Sequence, residues 1–236
     1  MISLNHIIYD ILNTVRAGKG GTSDDEPISQ RWLAYQINTT RAVLIRQDLE
    51  KNRSISANIR QSLGCVDVEA VDASICCDLD TDCTVFRTTV KIPKTIELYQ
   101  RDLITRVGPS GVYEKPFQLI PYERAAWSGN TPFDAINNVP KAFLFDGYIY
   151  IMVKDNSKVI STVNIQGVFE DPTEVKSFNT CAGETCFTYD SPYPISEHML
   201  PILKKMVIDN AVKLAASTPS DNVGDSNFKF ETNSEK

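Results

Sequence analysis

Residues 4 to 15 place Leu4, Ile7, Ile8, Ile11, Leu12 and Val15 at spacings of three and four, the apolar stripe of a short amphipathic helix ending at Gly18. The stretch AGKGGTSDDEP that follows is rich in turn residues and closes on Pro27, so it reads as a linker. Ser29 is placed to cap a second helix running through Leu33, Ile37, Thr40, Leu44 and Asp48. Its other face is expected to carry Arg31, Arg41 and Arg46, as a solvated face or as a subunit contact. Ser54 or Ser56 starts a third, shorter helix that ends near Gly64.

Beyond Gly64 the apolar period changes from helical to two. CVDVEAVD alternates Val66, Val68 and Val71 with acidic partners, and VFRTTVKIP resumes a strand, so the two are expected to pair as a hairpin with CCDLDTDC (76–83) at its tip. Residues 92–147 are broken by Pro93, Pro109, Pro116, Pro121, Pro132 and Pro140. Within them LITRVG reads as a strand. KAFLFDGYIYIMVK reads as a hairpin turning at Asp146-Gly147. VISTVNIQGVFEDPTEV adds a strand with a possible bulge at Gly167 and a stop at Asp171-Pro172. The last regular element sets Leu200, Leu203, Val207, Ala211 and Leu214 on one helix face, opposite Lys205, Asp209 and Lys213. Ser196 is its expected cap and Pro201 falls in its first turn. After Ala216 the chain turns polar, with Phe228 and Phe230 as its apolar anchors.

The predicted class is therefore α+β: terminal amphipathic helices forming a small bundle, with a β-rich, mainly antiparallel insertion. The expected divisions are an N-terminal helical part (1–64), a β-rich insertion (65–190), a C-terminal helix packing on the N-terminal ones (191–217) and a polar assembly arm or disordered tail (218–236).

A chain of 236 residues with 42% apolar and 23% charged residues buries a core without needing its cysteines as staples. Its first residues, MISLNHIIYDILNTV, lack the basic region of a signal peptide, and no stretch approaches the roughly 20 apolar residues that cross a bilayer. A soluble protein made in a cytosol, with reduced thiols, is the expectation. Net charge is −6, from 24 basic and 30 acidic residues. Asp67, Glu69, Asp72, Asp78, Asp80 and Asp82, all between Cys65 and Cys83 with no basic residue among them, carry a charge equal to the whole imbalance. This argues against a broad nucleic-acid-binding face and leaves open a passage that DNA traverses without being gripped.

Candidate chemistry is sparse. A zinc site needs four ligands, usually as two short-spaced pairs. Cys76 or Cys77, Cys83, Cys181 and Cys186 make a quartet only if two loops meet in space. Disulfides formed after release from the cell, or reduced structural thiols, are the alternatives. His6 and His198 have no motif that assigns them a base role, AGKGGTS lacks the order of a phosphate loop, and DLDTD lacks the glycine and terminal glutamate of a calcium loop. No catalytic, cofactor-binding or metal residue is assigned. Tyr122, Trp127 and Phe133, in FQLIPYERAAWSGNTPFD, mark a covered loop or an interface.

The stretches ISQRWLAYQINTTRAVLIRQDLEKNR, LGCVDVEAVD, KIPKTIELYQRDLITRVGP, FQLIPYERAAWSGN and VNIQGVFEDPTEV resemble a virion protein of the crAss-like bacteriophages, one of the ring or adaptor proteins beneath the portal. The resemblance implies a structural protein of the head-to-tail junction, assembled as a closed ring around the DNA channel. Its implied neighbours are the portal and adjacent tail ring proteins, with twelve copies matching the portal, no cofactor and no membrane. A ring needs two different surfaces per subunit. The expected contact residues are Arg41 and Arg46 on the second helix, Tyr122, Trp127 and Phe133 in the central loop, and Phe228 and Phe230 in the tail. Asp78, Asp80 and Asp82 are expected to face the channel or a partner. A small enzyme with an unrecognised site, or a monomeric binding module, is the competing reading.

Overall fold

The computed structural model describes residues 2–16, 28–52, 54–72, 84–99, 101–110, 115–127, 139–154 and 159–217. The first apolar stripe folds as α1 (Leu4–Arg16), which buries Leu4, Ile7, Ile8, Ile11 and Leu12. The second folds as α2 (Gln30–Asn52), where the Ser29 hydroxyl accepts the Trp32 N–H at 3.1 Å, the cap expected from sequence. The third expected helix is absent. A single 3-10 turn, Ala57–Ile59, capped by Ser56, gives way at once to β1 (Gln61–Ser62), because the backbone there finds partners in the sheet.

Strands β2 (Val66–Val71) and β3 (Thr84–Thr88) pair antiparallel, with Glu69 opposite Arg87, so the predicted hairpin forms. A two-stranded ribbon, β4 (Glu97–Leu98) with β5 (Arg101–Asp102), precedes β6 (Ile104–Pro109). After β7 (Gln118–Leu119) come a 3-10 segment (Tyr122–Trp127) and the hairpin of β8 (Lys141–Phe145) and β9 (Tyr148–Val153). That hairpin turns at Asp146 and Gly147, both with positive φ (47° and 78°), the pairing a two-residue type I′ turn demands. β10 (Thr162–Gly167) completes the sheet, with its register shift at Gln166/Gly167, where a bulge was expected.

The sheet runs β1-β10-β2-β3-β9-β8-β7, with β6 on the far edge of β10. All its pairs are antiparallel except β7 with β8, so the sheet is mixed. It curls into a half-barrel. The Phe117 N–H donates to the Val107 carbonyl on β6 at 2.7 Å while the next residue joins β8, drawing the two ends of the curl together.

Curling explains why β9 reads as an unbroken apolar run. Ile149, Ile151 and Val153 point into the main core with Phe86, Ala142, Val163 and Ile165. Tyr150 and Met152 point the other way, into a second cluster with Val85, Phe143 and Ala125. The segment Tyr122–Trp127 covers that outer face, with Tyr122 stacked on Phe145 at 4.4 Å. A strand covered on both sides loses its polar alternation.

The third helix of the fold, α3 (Leu200–Ser217), follows a 3-10 turn at Glu197–Met199 and buries Leu203, Val207 and Ala211. Ser196 caps it through its backbone carbonyl, which accepts the Met199 N–H at 3.0 Å, and not through its hydroxyl as expected. The helices α1, α2 and α3 pack on one another, and their apolar faces belong to the same core cluster as the inner face of the sheet. Lys204 on α3 reaches Asp10 on α1 at 2.5 Å, a hydrogen bond that holds the carboxyl below its ordinary range.

Between β1 and β2 the chain passes Gly64 at φ +68°, where an added Cβ would lie 2.2 Å from the Asn179 carbonyl oxygen. This close approach brings residues 179–186 against the strand edge. Here the Cys65 N–H donates to Asn179 and Cys65 is disulfide-bonded to Cys181, with Cα atoms 5.0 Å apart. Gly183 also has positive φ (+85°), but nothing lies within 4 Å of its missing Cβ. Gly64→Ala should therefore cost clearly more stability than Gly183→Ala, whose cost is the left-handed backbone alone, about 1–2 kcal/mol. Urea denaturation of the two variants measures the difference. Equal losses would show that the contact at Gly64 is not a constraint.

Candidate assembly surfaces

Of the side chains singled out from sequence, Arg41 departs furthest from expectation. It was placed on an outward face of α2, yet it is fully buried. The reason is helical spacing: Arg41 lies four residues after Ile37 and three before Leu44, on the stripe that faces the core. Its Nε donates to the Pro194 carbonyl at 2.6 Å and its Nη1 to the Phe169 carbonyl at 2.8 Å. The guanidinium also lies 5.8 Å from the centre of the Tyr193 ring. The Tyr193 hydroxyl donates to Asn38 Oδ1 at 2.8 Å, and Asn38 Nδ2 donates to Asp171 at 2.8 Å. Asp171 in turn caps the 3-10 segment Pro172–Ser177 by accepting from the N–H and hydroxyl of Thr173.

This chain of polar contacts joins α2, the segment after β10 and the segment leading to α3. Burial lowers the proton affinity of Arg41, with Tyr193 and Asp171 opposing it, and pushes the Tyr193 phenol well above its ordinary range. The raised phenol keeps Tyr193 neutral and able to donate at neutral pH, and the guanidinium keeps its charge through its intrinsic basicity. It is a structural joint, not an outward contact.

Arg46, five residues on, is exposed, as is Arg31. Tyr122 is half-buried against Phe143 and Phe145 of its own sheet, so the described part of the central loop covers its own subunit. Trp127 ends the same 3-10 segment, and its side chain lies outside the described residues. Phe133, Phe228, Phe230, Asp78, Asp80 and Asp82 also lie outside them, as do Cys76, Cys77 and Cys83.

The helices expose apolar residues that stripe analysis passed over. Tyr9 on α1, Tyr35 and Val43 on α2, and Ile202, Met206 and Val212 on α3 are all exposed. On α3, Ile202 and Met206 are one turn apart and lie beside the buried stripe of Leu203 and Val207. The legible signal was that α3 is apolar around more than the face its core needs.

A depression of about 700 Å³ gathers Asp48, Ser54, Ser56, Ser196 and His198. There His198 Nε2 stands 3.8 Å from Asp48 Oδ1, too far for the orienting hydrogen bond of a triad, and its side chain is 65% exposed. Among the described residues no group of three or more His, Cys, Asp or Glu side chains is placed to hold a metal ion. No helix there is long and apolar enough to cross a membrane.

Among the described residues, the helices of this α+β fold expose Tyr9, Tyr35, Ile202 and Met206, apolar surface of the kind that contacts a partner. The chain belongs to the crAss-phage family described as phage tail ring protein 2, whose family model matches residues 6–233. It is a structural protein of the virion, an oligomeric ring component at the head-to-tail junction, and not an enzyme. No curated protein matches the chain.

The buried joint and the exposed arginine separate folding from assembly. Arg41→Ala should cost about 3 kcal/mol or more, because it empties a core position and strands two carbonyls. Arg46→Glu should leave stability within about 0.5 kcal/mol of the parent. Chemical denaturation of the isolated chain tests both, and a tolerated Arg41→Ala would contradict the role of the joint.

Proposed function

We propose that the chain forms a twelve-subunit ring matched to the portal, contacting the portal and the neighbouring tail rings and encircling the DNA path. In this reading the exposed apolar residues of α3, Ile202 and Met206, with those of α2, Tyr35 and Val43, contribute one side of a head-to-tail subunit contact. The β-rich part and the rest of the central loop, with Trp127 and Phe133, contribute the opposite side, while Tyr122 anchors that loop on its own sheet. Arg46 is exposed on α2, and in this reading its charge sets the orientation of the contact more than its affinity.

The observation that carries this reading is the extent of the family match. It runs through the acidic segment and through most of the tail, including Phe228 and Phe230. Residues 218–236 then act as an arm that leaves the end of α3 and reaches an adjacent protein. Asp78, Asp80 and Asp82, on the segment between β2 and β3, face either the DNA path, where they repel phosphates, or a basic patch on a partner.

Two variants test the assignment of surfaces. Ile202→Asp combined with Met206→Asp should leave the melting temperature of the isolated chain near that of the parent and strongly reduce its incorporation into particles. Deleting 218–236 should have the same signature. Particle composition and infectivity are the readouts, and full incorporation of either variant would remove the corresponding surface from the interface.

A further inference from the structure

We propose that Cys65 and Cys181 form a conditional clasp, a dithiol while the chain is made and assembled inside the cell and a disulfide in the released particle. The geometry is in place without the bond. Residues 179–185 form a tight loop, closed by pairing of Asn179 with Thr185 and by hydrogen bonds from the Thr180 N–H to Glu184 and from the Gly183 N–H to Thr180. That loop is held on the strand edge by the Cys65 N–H donating to Asn179 at 3.1 Å and by the close approach at Gly64. The two Cα atoms stand 5.0 Å apart, within the range a disulfide spans. Both cysteines are therefore held together by backbone contacts in addition to the bond itself.

Their surroundings set the order of events. Cys181 is exposed and Cys65 half-buried, so the Cys181 thiolate attacks an external small-molecule disulfide such as cystine, expelling one thiolate. The Cys65 thiolate then attacks Cys181 Sγ of the mixed disulfide and expels the second. Two protein thiols are oxidised and one cystine is reduced to two cysteines. Cys186, on the same segment, is half-buried, and burial pushes its thiol up, so it stays protonated near neutral pH and competes poorly. The bond closes a separation of 116 residues, tying the strand that enters the acidic segment to the chain leading into α3. The assignment to two compartments rests on the ring-protein reading.

The purified full chain, with Cys76→Ser, Cys77→Ser and Cys83→Ser to remove other thiols, is equilibrated with cystine, alkylated and digested. The expected product joins the peptides of Cys65 and Cys181, leaves Cys186 alkylated, and melts about 5–10 °C above the reduced chain. Cys186→Ser should retain that rise and Cys65→Ser should lose it. A crosslink through Cys186, or no rise, overturns the clasp. Infected cells quenched in acid and alkylated should yield both thiols free, and released particles the crosslinked pair. The same state in both samples overturns the conditional half. Particles lacking the chain's peptides altogether count against the ring reading and remove that half with it, whereas particles containing the chain with both thiols free count against the clasp alone.

Discussion

A buried guanidinium holds this molecule together. Arg41 is placed inside by the same helical spacing that buries Leu33, Ile37 and Ile45, where its Nε and Nη1 find partners and its Nη2 stays buried without one. It finds the carbonyls of Phe169 and Pro194, which belong to segments far apart in sequence. The relay through Tyr193 and Asn38 to Asp171 extends the same joint to the cap of Pro172–Ser177. Helices from both ends of the chain and the half-barrel between them are thereby fixed in one relative position. Apolar burial supplies most of the stabilisation, but it is non-directional. The polar joint supplies direction.

A fixed relation between helices and sheet is what a ring subunit requires. Small errors in the angle between its two contact surfaces accumulate around the ring, and closure fails when the rotation is wrong. In this chain the three helices share one core with the inner face of the sheet, which ties the helical face to the half-barrel. The proposed subunit contact would cover the apolar positions that α1, α2 and α3 expose. On α3 they lie beside the buried stripe of Leu203 and Val207.

Much of this was legible from residue order. The three helices, the β2–β3 and β8–β9 hairpins, the Asp146-Gly147 turn and the bulge at Gly167 follow from local period and turn chemistry. The family was legible from whole phrases of sequence. What escaped was set by tertiary contact. The expected helix after Ser56 yields to β1, because β10 offers it a partner. Two-residue strands such as β4, β5 and β7 carry too few positions to show a period. Arg41 was misplaced because a charged residue on a core stripe reads as an interruption until its carbonyl partners, more than a hundred residues away, are known. The partnership of Cys65 with Cys181 was hidden for the same reason, as sequence spacing drew attention to the cysteines at 76–83 instead.

The central claim is that this rigid body closes into a ring on the axis of the particle through its helical face. A density map of the virion at side-chain resolution, with this sequence traced into it, tests the claim most directly. The account predicts twelve copies in a closed ring at the head-to-tail junction, with Ile202 and Met206 of each subunit covered by its neighbour and Arg41 enclosed within its own subunit. Copies found off the axis as isolated decorations, or a ring in which the outer face of α3 is open to solvent, would contradict it.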